Sequence, residues 1–236
     1  MIEIKSLTKK FGKLIAVDNV SLTIDNNKCF ALLGLNGAGK TTLINILTTV
    51  ILPTSGTAVI DGYDLLKDSG EIKKIINVSP QEVAVAQNLT VNENLNLIAD
   101  LYGINDKQNK ILQIVKDFGL DEKLDVQAKK LSGGQLKRLS IALAVITEPK
   151  ILFLDEPTLG LDVKARQILW GMIEKLKSKM TIFLTTHYLE EVKALTDEIA
   201  IISRGKIITK GTIDDILNFS GKSNLEDAFI SLTEEE

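Results

Sequence analysis

The feature that most constrains this chain is Gly34-Leu35-Asn36-Gly37-Ala38-Gly39-Lys40-Thr41, placed directly after five apolar residues, Cys29-Phe30-Ala31-Leu32-Leu33. An unbroken apolar run of that length reads as a strand buried on both faces. An amphipathic segment carrying Leu43, Ile46 and Leu47 follows. Strand, glycine-bearing loop and helix in that order can wrap backbone N–H groups around phosphate oxygens, and the helix N-terminus adds a favourable dipole. In the pattern G-x-x-x-x-G-K-[ST] the lysine, here Lys40, neutralises β- and γ-phosphates, and the hydroxyl, here Thr41, binds Mg²⁺. A glycine-rich turn before a helix would account for the glycines, but not for the lysine and threonine.

The apolar pattern recurs at Ile151–Leu154, Thr181–Leu184 and Ile199–Ile202, with helical segments between some of the runs. Buried strands alternating with helices predict an α/β core with a mainly parallel sheet. The first sixty residues also carry a different signal. Ile2, Ile4 and Leu7 open one strand, Val20, Leu22 and Ile24 alternate with polar residues in another, and Thr57–Ile60 ends at the turn Asp61-Gly62. Half-buried alternation of this kind predicts an N-terminal antiparallel β subdomain.

From about Val83 to Thr147 strand signals give way to helical spacing, with Ile111, Leu112, Ile114, Val115 and Phe118 expected on one apolar face stopped by Gly119. The expected organisation is one domain over residues 2–220, with a helical lobe of about 83–147 inserted in the α/β core. A short C-terminal tail, 221–236, ends in Glu234-Glu235-Glu236, which is expected to fray.

Charge and composition exclude several classes. Lys and Arg number 28 against 31 Asp and Glu, so no basic field covers the molecule and no nucleic-acid partner is expected. The longest apolar run, Leu139–Ile146, falls far short of the roughly 20 residues that span a bilayer. Met1-Ile2-Glu3-Ile4-Lys5 lacks the layout of a signal peptide. The single cysteine, Cys29, rules out an internal disulfide, and the single histidine, His187, rules out a multi-histidine metal site. A soluble cytoplasmic protein is expected.

Two further stretches carry chemistry. Ile151-Leu152-Phe153-Leu154-Asp155-Glu156 is a buried strand ending in two carboxylates. At the carboxyl end of a parallel strand, Asp155 can hold the nucleotide's Mg²⁺ through water, and Glu156 can orient and polarise an attacking water. A strand running into a charged loop is the plain alternative. Leu131-Ser132-Gly133-Gly134-Gln135 opens a helix expected over Leu136–Ile146. Ser132 can cap that helix, and the free N–H groups there form a second anion site. One nucleotide hardly needs two such sites from one chain, and a serine cap with a flexible lead-in explains the stretch equally well.

Taken together, these motifs resemble the signature of ATP-binding-cassette (ABC) ATPases, and other elements fall in the order that family uses. Gln81, in Ser79-Pro80-Gln81, resembles the Q-loop glutamine, a sensor touching both metal and lobe. Leu161-Asp162 resembles the D-loop, which lies at an interface, although Asp162 also reads as a helix N-cap before Val163. His187, just after an apolar strand, resembles the switch histidine and can reach a γ-phosphate. Phe11 resembles the aromatic on which adenine stacks. The resemblance covers about residues 2 to 220 and implies ATP and Mg²⁺ as cofactors. It implies ATP contacts from Phe11, from Gly34 through Thr41 and Thr42, and from Ser132, Gly133, Gly134 and Gln135. Thr41, Gln81 and Asp155 are the implied metal-site residues, and Glu156, His187, Lys40 and Gln81 the implied catalytic set.

In this family two ATPase domains clamp two ATPs face to face, so the resemblance implies a second ABC ATPase subunit, a copy of this chain or a close relative. It also implies transmembrane permease subunits that dock near the Q-loop and hold the protein on the cytoplasmic face of the membrane. Val83-Ala84-Val85-Ala86 offers an apolar groove for that docking, or else packs inside the lobe. One cassette in 236 residues sets the chain apart from ribosome-acting relatives with two, and a lobe of about 65 residues from relatives with long coiled-coil insertions. The surviving rival is a soluble accessory ATPase, such as one in iron–sulfur cluster assembly. Leu89-Thr90-Val91-Asn92-Glu93-Asn94-Leu95, Leu101-Tyr102-Gly103 and Asn224–Phe229 are similar to the exporter group that includes drug, sodium and polysaccharide or antibiotic efflux pumps.

Overall fold

In the computed structural model, which describes residues 1–234, two sheets share one strand-rich centre flanked by helices. The chain opens with β1 (Ile2–Phe11), β2 (Leu14–Ile24) and β3 (Cys29–Leu33), and α1 (Lys40–Leu47) follows. Next come β4 (Ser55–Ile60), β5 (Tyr63–Asp64), α2 (Ser69–Ile75) and β6 (Ile76–Ser79). Three helices, α3 (Val91–Leu101), α4 (Lys107–Asp117) and α5 (Gly133–Val145), lie between β6 and β7 (Ile151–Asp155). Then follow α6 (Val163–Leu176), β8 (Thr181–Thr186), α7 (Leu189–Leu195) and the hairpin β9 (Glu198–Ser203) and β10 (Lys206–Gly211). The last elements are α8 (Ile213–Ser220) and α9 (Leu225–Glu234).

The N-terminal alternation does build an antiparallel sheet, in the order β2-β1-β4-β5. The second sheet runs β10-β9-β3-β8-β7-β6, parallel except at β9–β10. Alternate residues of its buried strands face opposite sides. Phe30, Leu32, Phe153 and Phe183 pack toward α1 and the antiparallel sheet. Ala31, Leu33, Leu152 and Leu154 pack into the cluster shared with α5, α6 and the inserted helices. The Phe183 ring sits 5.3 Å from that of Phe30 and 5.4 Å from that of Phe153, tilted against both, a geometry that aromatic quadrupoles favour.

Register positions the site. Leu33 lies opposite Thr186, and Asp155 opposite Thr185, so β3, β8 and β7 end at one level. Gly34, His187 and Glu156 therefore emerge side by side at the carboxyl edge, where parallel sheets leave a crevice.

Local sequence sets the helix boundaries. Thr90 and Glu93 form a reciprocal capping box at α3, and Ser132 and Gln135 form another at α5. The second box starts α5 at Gly133, three residues earlier than the apolar spacing predicts. On α4, Ile111, Ile114 and Val115 are buried with Phe118 just beyond, but Leu112 is exposed. It follows Ile111 by about 100° of rotation and falls off the buried stripe. Residues beyond 220 join the core: Leu225, Ala228 and Phe229 of α9 belong to the cluster that lines the parallel sheet. The expected fraying concerns Glu234–Glu236, of which 235 and 236 lie outside the described residues. Among the described residues, no helix is long and apolar enough to cross a membrane.

Candidate active site

The loop between β3 and α1 is shaped by contacts that exclude side chains. Gly39 has φ +103°, and a Cβ there would sit 2.2 Å from the Ala16 carbonyl oxygen of β2. Only glycine permits both the angle and the approach. The loop borders a cleft of about 660 Å³, within the usual range for small-ligand sites. Asn36, Gly37, Gly39, Lys40, Thr41 and Thr42 line one side, with Phe11, Gln81 and Glu156 around them. Gly34, Leu35 and Ala38 are not among the lining residues. Ala38 belongs to the core cluster, Gly34 is pressed against Ile202, and the Leu35 side chain points to solvent.

Lys40 is buried and curls back under the loop. Its Nζ donates to the carbonyls of Gly34 at 2.7 Å and Leu35 at 3.2 Å, and lies 3.0 Å from Glu156 Oε1. Glu156 stands at φ +47°, in the left-handed region that non-glycine residues seldom adopt. Two hydrogen bonds from its own N–H hold it there, to Thr185 Oγ1 at 3.1 Å and to the Thr185 carbonyl at 3.2 Å. The Thr185 hydroxyl in turn donates to Asp155 Oδ1. One threonine thus fixes both carboxylates. The turn aims Glu156 across the strand ends, where Oε2 lies 2.8 Å from His187 Nδ1. The imidazole is backed by the Tyr188 ring, centroids 4.1 Å apart.

Ser132, Gly133, Gly134 and Gln135 lie elsewhere. With Gly160, Leu161, Asp162 and Lys164 they line a second cleft of about 310 Å³ that shares no lining residue with the first. Ser132 Oγ accepts from Gln135 N at 3.3 Å, and Gln135 Oε1 accepts from Ser132 N at 2.9 Å. Asp162 caps α6 through a bond from Ala165 N to Oδ1 at 2.8 Å. Two helix N-termini, those of α5 and α6, therefore open into this second cleft.

Sequence reading passes over two residues here. Thr185 carries no motif signal, because its role appears only when β7 and β8 pair. Lys137 interrupts an apolar helix, a visible anomaly in Leu136-Lys137-Arg138-Leu139. It is buried, and its Nζ donates to the carbonyls of Pro80 at 3.0 Å and Gln81 at 3.4 Å. Burial pulls its pKa down to about 8, against the opposing pull of Asp155, Glu191 and Glu156. The expected apolar groove is divided: Val85 packs against the helical core, whereas Val83 is half-buried outside that cluster. Among the described residues no group of three or more His, Cys, Asp or Glu gathers as a metal cage.

The family profile described as "ABC transporter" matches residues 17–159, well over half of the chain. The chain belongs to the ABC transporter family. It is 36% identical over 218 residues to the "Doxorubicin resistance ATP-binding protein DrrA" of Mycobacterium tuberculosis, spanning 91% of this chain and 66% of that one. It is 38% identical over 240 residues to the "Probable multidrug ABC transporter ATP-binding protein YbhF" of Escherichia coli, covering 98% of this chain and 41% of that protein. The chain thus spans less than two thirds of the length of these curated relatives. Among solved structures, an "ATP binding subunit of ABC transporter" superposes with a TM-score of 0.88 at 29% identity, over 98% of this chain and 99% of that one. A dimeric post-hydrolysis state of the ATP-binding cassette MJ0796, bound to ADP and Pi, superposes with a TM-score of 0.81 at 27% identity, over 90% and 98%. The antiparallel subdomain, parallel core and inserted helices are thus those of an ABC ATPase cassette, and the expected family and fold class hold.

Proposed function

We propose that this chain is the ATP-hydrolysing subunit of an ABC exporter, with Glu156 as the carboxylate that activates water. The observation that carries this reading is the convergence of Lys40, at the start of α1, with Glu156 and His187 at the ends of the neighbouring strands β7 and β8, beside a glycine loop that tolerates no side chain at Gly39. Lys40 and the backbone N–H groups of the loop and first turn of α1 would hold the phosphates. Phe11, half exposed at the rim of the cleft, would stack on the adenine.

Mg²⁺ fits the donor set. It favours one or two carboxylates or hydroxyls completed by phosphate and water, not an all-protein cage. Thr41, which lines the cleft, and Asp155, buried at the end of β7, would supply such a pair, with Gln81 also lining the cleft. When bound, the ion neutralises charge on the β- and γ-phosphate oxygens. The protein's own part is to orient water against Glu156, with His187 Nδ1 keeping the carboxylate aimed.

Ser132 to Gln135 and Asp162 form a separate surface, which supports sharing of each ATP between two chains. A second copy or close relative would supply the missing loop. Transmembrane permease subunits would dock beside Gln81 and hold the protein on the cytoplasmic face of the membrane, Val83 being the better contact candidate because Val85 serves the core. The export assignment draws on the drug-resistance names of the relatives.

The test has two arms. Glu156→Gln should keep Mg·ATP affinity while turnover falls by about 10²–10⁴; turnover above a tenth of the parent's would reject the assignment. The intact chain should co-purify with a polytopic membrane protein, and Val83→Lys should weaken that association without lowering the isolated ATPase rate. Co-purification with a soluble scaffold alone would favour an accessory ATPase.

A further inference from the structure

Helix α5 carries a buried polar seam that reaches the loop bearing Gln81. Ser140 and Lys137 stand three residues apart on one face of the helix, and both are buried. The Ser140 hydroxyl lies 3.0 Å from that of Ser79, the last residue of β6. One turn nearer the start of α5, Lys137 Nζ donates to the carbonyls of the next two residues, Pro80 at 3.0 Å and Gln81 at 3.4 Å. The chain leaving β6 is therefore laid along α5, residue 79 against 140 and residues 80–81 against 137. A buried cation is costly unless its donors are met, and the partners that meet them here are backbone groups of a single loop.

That loop has few other supports. Neither Pro80 nor Gln81 belongs to a helix or strand. Among the described residues, Lys137 is the one side chain bonded to the backbone of either. The next anchor is at Ala86, whose N–H is accepted by Asn94 Oδ1 at 2.9 Å and whose carbonyl accepts from Asn94 Nδ2 at 3.1 Å. Asn94 belongs to α3, so both anchors come from inserted helices. Gln81 is thus held by the lobe while it lines the cleft shared with Lys40 and Glu156.

We propose that Lys137 is a positioning residue for Gln81, fixing the backbone from which that glutamine reaches the cleft and tying it to the helix that begins beside Ser132. The proposal rests on the reading of Gln81 as a metal-site residue. Lys137 lines neither cleft and touches no nucleotide in this scheme. It acts through two carbonyls, so its loss should displace Gln81 without removing a contact to ATP. A displacement of about 1 Å can cost up to 10²-fold in rate. The loss should fall on kcat and spare KM.

The experiment compares Lys137→Met, Gln81→Ala and the double variant in the full chain by steady-state ATPase kinetics with Mg·ATP. Ser140→Ala, which breaks only the neighbouring bond to Ser79, is the control. Lys137→Met should lose about tenfold in kcat with KM within about twofold, and Ser140→Ala should stay within about twofold of the parent in both. Adding Lys137→Met to Gln81→Ala should change kcat by no more than about twofold, because no glutamine is left to position. A second readout needs neither nucleotide nor metal. Cys29 is buried, so Glu82→Cys supplies one accessible thiol for a nitroxide label next to Gln81. Label mobility, read by electron paramagnetic resonance, should rise when Lys137→Met is added. A parent-like kcat in Lys137→Met, a loss carried by KM, or a Ser140→Ala variant equally slow would overturn the proposal. So would additive losses in the double variant or an unchanged label mobility. Should Lys137→Met not fold, Lys137→Gln replaces it, with an amide one bond short of both carbonyls: a reduced kcat at unchanged KM supports the tie, and an unchanged kcat overturns it. Undiminished turnover in Gln81→Ala would instead reject the underlying reading of Gln81, and it is read from a variant in which Lys137 is intact.

Discussion

Lys40 and Glu156 form a buried ion pair, Nζ to Oε1 3.0 Å, with the two side chains 6% and 4% exposed. The residue that would hold phosphate and the one that would activate water are thus bonded to each other at the floor of one cleft. Removing one member of such a pair leaves a charge in a poorly solvated place, at a typical cost of 3–5 kcal/mol. Glu156 borders the cleft, so Lys40→Ala is expected at or below the lower end, about 3 kcal/mol. Adding Glu156→Gln removes the stranded charge and should return most of that loss. Urea unfolding of the two single variants and the double gives the coupling. A double variant no more stable than Lys40→Ala would mean that the pair contributes little to the fold.

Lys137 makes stability depend on pH in a predictable direction. Its pKa is about 8 in the folded chain against an ordinary 10.5. Below about pH 8 both states carry the proton and the penalty for burying the charge is constant. Between there and 10.5 the unfolded chain binds more protons, so stability rises with pH, by on the order of 3 kcal/mol over the whole window. In Lys137→Met this rise should disappear, while the other lysines titrate as before. Equal slopes of unfolding free energy against pH in both proteins would contradict it.

What was legible in the sequence is what local chemistry determines. Cys29–Leu33, Ile151–Leu154 and Thr181–Leu184 announce buried strands by composition alone, and the glycine loop and Asp155-Glu156 pair sit at their ends. β6 was not legible: Ile76-Asn77-Val78-Ser79 has two apolar residues, and its strand conformation comes from pairing with β7, some seventy residues on. β10 was not legible either: it pairs with β9 across the Arg204-Gly205 turn, where both residues take positive φ. Within the site, Thr185 lies 30 residues from the Asp155 it bonds, and behind it Ser140 lies 61 from Ser79. A tertiary bond of that separation leaves no periodic trace in either segment.

Asp162 caps α6, and substitution can separate that duty from a role at a chain–chain contact. As N-cap of α6 it accepts from Ala165 N, a bond worth about 1 kcal/mol. Asparagine caps equally well, so Asp162→Asn should match the parent's unfolding midpoint and Asp162→Ala should fall by that amount. If Asp162 also serves a chain–chain contact through its charge, both variants should weaken ATP-driven dimerisation measured by analytical ultracentrifugation. Dimerisation lost only in the alanine variant would reduce Asp162 to a helix cap.

The separation of the two clefts bears on where ATP is completed. Lys40 and Glu156 border one, Ser132 and Asp162 the other, and among the described residues none lines both. Closing Ser132 onto the chain's own nucleotide would require moving α5, whose Lys137 is bonded beneath Gln81 and whose apolar face is part of the core. Head-to-tail pairing of two chains needs no such rearrangement: each nucleotide takes its phosphate loop from one chain and its Ser132 loop from the other. A mixed dimer of Lys40→Ala with Ser132→Arg discriminates between the two arrangements. If sites are shared, both lesions fall in one site and the second is intact, so one tightly bound ATP per two chains is expected by equilibrium dialysis. Self-contained sites would leave each chain with its own lesion and restore nothing. No recovered tight binding in verified heterodimers would therefore count against the shared site. Binding is the measurement to use, because coupled turnover between the two sites would mask a single intact one.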